Sequence, residues 1–117
     1  MTRTNRMNDC ELLDSISAAC LEIQQALTEH LETTTSVQYK TDIDKDMMTL
    51  ENLKQIIFAV KEDVEKEKVG ASTELLLRIA ANDFKKRLAL IPEKKTLRKE
   101  IMRSLKEVHR NILQLTI

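Results

Sequence analysis

The chain has 117 residues, enough for one domain that buries a core without disulfide or metal support. It holds one Gly, one Pro, no Trp, one Tyr and two Phe, and 32% of its residues are charged. Sheet proteins need turn glycines and favour aromatic side chains, so the composition excludes a β fold and leaves mostly strong helix formers. The formal net charge of zero hides a polarity: residues 9–67 carry fourteen acids and five bases, residues 68–117 five acids and twelve bases. Such asymmetry marks candidate acidic and basic binding surfaces.

The first segment runs from about residue 8 to 33. Leu13, Ile16, Cys20, Ile23 and Leu27 recur at steps of three and four, widened by Leu12, Ala19 and Ala26, which is one apolar helix face. Asn8 or Asp9 is the expected N-cap, since either side-chain oxygen can take an orphaned backbone N–H. Thr33-Thr34-Thr35-Ser36-Val37 then weakens helix propensity by β-branching and hydroxyl competition, and a loop or frayed join reaching about Lys40 is expected. The second segment, 41–68, carries Ile43, Met47, Leu50, Leu53, Ile57, Val60 and Val64, with Gly70 as its expected C-terminal cap.

Ser72 opens a third segment, 72–91, with Leu77, Ala80, Ala81, Phe84, Leu88 and Ile91 on one face. Leu76, Ile79 and Leu90 widen it, so this helix is expected to be the most buried. Pro92 ends it, because the residue before a proline is pushed out of the helical region. The last segment, 93–115, uses Leu97, Ile101, Leu105, Val108, Ile112 and Leu115. Four amphipathic segments with short joins predict an all-α, up-down four-helix bundle in a single domain spanning 1–117. The alternative is three helices plus a first helix that is mobile, or that runs on through the threonines.

Several constellations invite chemistry. Asp42-x-Asp44-x-Asp46 opens like a calcium loop, but Met47 and Leu53 stand where the loop needs Gly and a bidentate Glu. The three acids read better as first-turn partners of a helix dipole. His30 and His109 belong to no metal-ligand spacing, and one glycine cannot build a phosphate-cradling loop. No catalytic residue, metal or cofactor is therefore expected, and the chain is read as a non-enzyme. Cys10 and Cys20, about 15 Å apart on one helix, are beyond disulfide reach, and Cys20 falls on the apolar stripe as a small core residue. Acids at 9, 11 and 14 interrupt any signal-peptide core, and no apolar run approaches the ~20 residues of a membrane span. Cytoplasm or nucleus is expected.

The most specific feature lies on the last helix. Lys95, Lys99, Arg103, Lys106 and Arg110 fall within about 80° of one another, opposite the apolar stripe, with Lys85, Lys86 and Arg87 adding charge nearby. A solvated face is the plain reading, and docking on an acidic protein is the functional one. A basic-helix nucleic-acid accessory protein is an alternative, although no aromatic is interleaved for stacking. Membrane-surface binding is not expected, because the opposite face is committed to the core. The segment Ile112-Leu113-Gln114-Leu115-Thr116-Ile117 is more apolar than a helix end needs, so Leu113, Leu115 and Ile117 are the expected apolar contacts with a protein partner or a second copy.

Gly70, Glu74-Leu75-Leu76-Leu77, Leu88-Ala89-Leu90 and Arg98-Lys99-Glu100-Ile101-Met102 together resemble, over about 35 residues, the second and third helices of BAG domains. That resemblance implies a helical co-chaperone that binds a heat-shock chaperone ATPase and promotes nucleotide exchange. Arg98 and Lys99 match the family's basic pair. Ala80, Ala81 and Ile91 stand where its chaperone-contacting acids usually lie, and Lys106 replaces its usual Gln. The reading favoured by the sequence is a non-catalytic interaction module, an adaptor or small subunit of a larger helical assembly, with the BAG-like co-chaperone as an alternative.

Overall fold

Four stretches of helix-forming sequence, each with an apolar stripe, give four helices: α1 (Thr2–Thr33), α2 (Val37–Glu65), α3 (Ala71–Arg87) and α4 (Lys95–Thr116). The computed structural model describes the backbone of residues 2–87 and 95–116 and the side chains of 8–86 and 96–114. No strand occurs among the described residues. Each helix packs on the next, and α4 returns to lie against α1, closing a four-cornered bundle of 52 × 21 × 19 Å. Cross-helix contacts show the antiparallel register. Asp14 meets Lys61 at 2.7 Å and Gln24 donates to Glu51 at 3.1 Å between α1 and α2. Glu74 meets His109 at 2.8 Å between α3 and α4, and Asn111 donates to Asp9 at 2.8 Å between α4 and α1.

The core is the sum of the four stripes. Leu13, Ile16, Cys20, Ile23 and Leu27 enter from α1, and Ile43, Leu50, Leu53, Ile57, Val60 and Val64 from α2. Leu77, Ala80 and Phe84 enter from α3, and Ile101, Leu105, Val108 and Ile112 from α4. Each fully buried Leu, Ile or Phe contributes about 1.5–3 kcal/mol. Each exposed ion pair contributes about 0.2–1 kcal/mol. The stripes therefore decide the fold and the surface charges only trim it.

Helix boundaries depart from the sequence reading in instructive ways. α1 starts at Thr2, so Asn8 and Asp9 do not cap it; Asp9 is buried within the helix, facing α4. The join after α1 is only residues 34–36. Thr33 stays helical by donating its hydroxyl back to the carbonyls of Glu29 and His30, at 3.3 and 3.2 Å. Ser36 then caps α2, its hydroxyl accepting from the Tyr39 N–H at 3.2 Å. That local hydrogen bond starts α2 at Val37 rather than 41 and leaves its first turn without an acid, so Asp42, Asp44 and Asp46 are not dipole partners.

Gly70 is not the cap of α2. That helix ends at Glu65 in a Schellman turn, with Glu67 N–H donating to Val64 O at 3.3 Å and Lys68 N–H to Asp63 O at 2.8 Å. The left-handed position is filled by Glu67, at φ 56°. Gly70 instead precedes α3, where the Thr73 hydroxyl accepts its N–H at 3.2 Å and donates to Asp63 at 2.9 Å. α3 is not the most buried helix either. Leu75 and Ile79 are 45% and 46% exposed, so part of the face expected to point inward is turned to solvent among the described residues. Leu88, Leu90, Ile91 and the Pro92 boundary lie outside the described residues.

An L-residue in the left-handed region costs about 1–2 kcal/mol, part of which glycine returns as unfolded-state entropy. Glu67→Gly is expected to raise stability by roughly 0.5–1 kcal/mol. Urea denaturation checks this: an unchanged or lowered midpoint would show that the Glu67 side chain outweighs its backbone.

Candidate partner-binding surface

α4 sorts its residues by side. Ile101, Leu105, Val108 and Ile112 face the core and bind the helix to its neighbours. His109, half-buried, turns toward α3 and its Glu74. Asn111 turns toward α1, where Asp9 accepts from it; burial raises the Asp9 carboxyl, the bond from Asn111 opposes the rise, and the charge of Glu107 adds to it. What remains outermost is Lys99, Arg103, Lys106 and Arg110, all exposed. Their spacing of four, three and four residues aligns them along about 16 Å of one edge. None of the four forms an ion pair among the described residues, whereas Lys54 and Lys61 on α2 and Lys66 just after it each hold a carboxylate within 3.1 Å. The side chain of Lys95, the fifth expected cation, lies outside the described residues, although its backbone opens α4.

Of the expected apolar contacts, Leu113 is 37% exposed. The side chain of Leu115, and Ile117 altogether, lie outside the described residues. Among the positions of the BAG-like comparison, Ala80 is buried, Ala81 and Arg98 are half-buried, and Lys99 is exposed.

The structure exposes apolar residues that periodicity missed. Phe58 is 71% exposed and Met48 69%, both on the outer side of α2, and Leu75 and Ile79 lie one turn apart on α3. A signal for Phe58 was present, because it stands 100° from Ile57 in the run Ile56–Val60 and so leaves the stripe that Ile57 and Val60 define. The three aromatic rings do not accompany the basic edge: Phe84 is buried, while Tyr39 and Phe58 are on α2, diagonal from α4.

An enclosed ligand site needs walls from converging elements. Among the described residues, a concavity runs along α4 from Arg98 to Arg110, lined also by Lys99, Met102, Arg103, Lys106 and Glu107. No group of three His, Cys, Asp or Glu side chains is arranged to hold a metal among the described residues. Helical geometry turns Asp44 about 200° away from Asp42, while Asp42 and Asp46, one turn apart, share a face. Asp44 is exposed, Asp42 half-buried and Asp46 buried. His30 packs edge-on to Tyr39, with ring centroids 6.5 Å apart. Burial pushes the Cys20 thiol up to about 12, which keeps it protonated and inert. Among the described residues no helix is long and apolar enough to cross a membrane.

Two buried carboxylates stand out. Asp9 and Asp46 each hold one oxygen, Oδ2, that has no hydrogen-bond partner among the described residues. Burial pushes Asp46 up to about 6, the nearby charge of Asp42 adds to the rise, and Arg98 opposes it. A carboxyl whose folded pKa exceeds its unfolded one binds more protons when folded, so stability falls as pH climbs from about 4 to 6 and stays reduced above. Asp46→Asn is expected to match wild type near pH 4 and to exceed it at pH 7.5, by an amount on the order of 3 kcal/mol. Urea unfolding of both proteins across that range tests this, and a difference independent of pH would contradict it. No family model, curated protein or solved structure matches the chain, so its reading rests on the surface just described.

Proposed function

We propose that this chain is a non-catalytic protein–protein interaction module, an adaptor or small subunit of a larger helical assembly, which docks an acidic protein surface on the outer edge of α4. One observation carries the reading: Lys99, Arg103, Lys106 and Arg110 are aligned, exposed and without internal counter-ions. One acid, Glu107, borders the same surface, yet none of the four cations pairs with it, whereas Lys54 pairs with Glu51 on α2. Aligned cations accelerate encounter with an acidic partner and fix its orientation. Leu75 and Ile79 on the neighbouring α3, with Leu113 at the end of α4, supply the apolar contacts that charge alone does not. A nucleic-acid partner fits less well, because no exposed ring lies beside the cations to stack on bases. The same reading sets the protein in a reducing compartment, the cytoplasm or nucleus, in keeping with a buried Cys20 and a half-buried Cys10 that are both free thiols.

Lys99→Glu/Arg103→Glu is expected to leave the helical circular dichroism and melting temperature unchanged, since both side chains are solvated. The double variant should associate with the protein partner captured by the wild type at least about tenfold more slowly at low salt. An unchanged association rate would return the stripe to a merely solvated face.

A further inference from the structure

The outer edge of α4 carries more than charge. At about 100° per residue, Lys99, Arg103, Lys106 and Arg110 form one row, and Met102 and Leu113 lie about 60° to one side of it. Glu107 lies about 70° to the other side. Met102 is half-buried in the concavity that the cations line, and Leu113 is 37% exposed. These two are three turns apart, about 16 Å, the same length as the row of cations. An apolar row and a basic row of equal length thus run side by side along one helix. The apolar row is the one nearer α3. His109, which meets Glu74 of α3 at 2.8 Å, stands seven residues after Met102 and four before Leu113, on the same side of α4. Toward the end where α3 closes and α4 begins, Lys85 of α3 comes level with Arg98 of α4, each eleven residues from that contact. Cations from two helices therefore bracket this end. At the other end Leu75 follows Glu74 and is 45% exposed.

We infer that this edge takes one class of partner: an amphipathic helix that sets a row of carboxylates on the cations of α4 and an adjacent row of aliphatic side chains on Met102, Leu113 and Leu75. This rests on the interaction reading above and names the chemistry of its partner. The apolar row selects a protein segment over a bare polyanion, whose charges engage the cations and leave Met102 and Leu113 wet. Methionine suits the contact, since its flexible thioether adapts to the side chain laid on it. Spacing selects a helix over an extended chain. The cations advance by about 5.5 Å on average, as do residues three and four apart on a facing helix. Side chains on one side of an extended chain advance by about 6.7 Å, and are about 3.5 Å out of step by the fourth cation. Glu107 adds a direction, because a carboxylate row displaced to its side is repelled, whereas one displaced toward Met102 is not.

Fluorescence anisotropy of labelled synthetic peptides against the full chain tests this. The matched peptide, a helix of about five turns, carries Glu at steps of four, three and four with Leu in the adjacent row, on an Ala and Gln background. One control holds the same residues with Glu at every second position, and another replaces each Leu by Gln. At about 0.05 M salt the matched peptide is expected to bind with a Kd on the order of 10–100 µM, and each control at least about tenfold more weakly. Lys99→Glu/Lys106→Glu should remove binding, and Met102→Gln or Leu113→Gln should weaken it about three- to tenfold. Leu113 is exposed, so its variant decides the matter if circular dichroism shows Met102→Gln unfolded. Equal affinity for matched peptide and controls overturns the inference, as does binding that a folded Leu113→Gln leaves unchanged. A wild type that self-associates at low salt and is not dissociated by the matched peptide assigns the edge to a second copy and overturns it too. If the matched peptide shows no preference while Lys99→Glu/Arg103→Glu still slows association with the captured acidic partner, only the helix falls. If no peptide binds and that association is also unchanged, the interaction reading falls with it.

Discussion

Leu13 and Ile16 of α1, Ile57 and Val60 of α2, Leu77 and Phe84 of α3, and Leu105 and Val108 of α4 are each no more than 1% exposed. They meet in one core, so no helix can leave without uncovering the other three. Phe84 is the largest of these side chains and the only aromatic among the buried hydrophobics, and the remaining volume is filled by aliphatic chains. An aliphatic core of this kind depends on close interdigitation along the whole length of the helices rather than on a few large anchors. The register that achieves it is also what brings Asp14 to Lys61, Glu74 to His109 and Asp9 to Asn111.

Charge follows from that arrangement. α1 and α2 together hold thirteen acids and six bases, a net of −7, while α3 and α4 hold four acids and ten bases, a net of +6. The closed bundle lays these two layers against each other, so the attraction between them favours the observed order of helices. It does not consume the outward charges. The cations of α4 point away from the core, with Arg103 also bordering the cleft toward α1, and Glu11, Glu22 and Glu29 of α1 are exposed. The α4 cations stay exposed once the core is satisfied, which is why their charges are open to other molecules.

The class of fold and most of the core were legible in the sequence, because helix periodicity and burial are the same fact viewed twice. Leu13, Ile57 and Leu105 were assigned from spacing alone and are buried, whereas Met47, Ala81 and Leu97 of the same stripes are half-buried. The helix ends were less legible. Ser36 and Glu67 set two of them through local backbone geometry, and neither carries a residue preference strong enough to be seen beside Asp9 or Gly70. Asp9 and Asp46 fall within otherwise apolar stripes, and their burial depends on which neighbouring helix closes over them. Phe58, Leu75 and Ile79 show the converse, since a hydrophobic residue is counted toward a core until the tertiary arrangement leaves its side of the helix uncovered. The basic edge was visible as a pattern, whereas the cleft between α1 and α4 was not, because it is assembled from two helices far apart in the chain.

The claim that one core depends on all four helices can be measured by native-state hydrogen exchange, comparing amides of α4 around Leu105 and Val108 with those of α1 and α2 around Leu13 and Ile57. If the four stripes form a single unit, the slowest amides in every helix exchange only through global unfolding, and their opening free energies agree with one another and with the value from urea denaturation. Exchange from α4 at a markedly lower opening free energy, with α1 and α2 still protected, would contradict this and show a helical core to which α4 is only loosely attached.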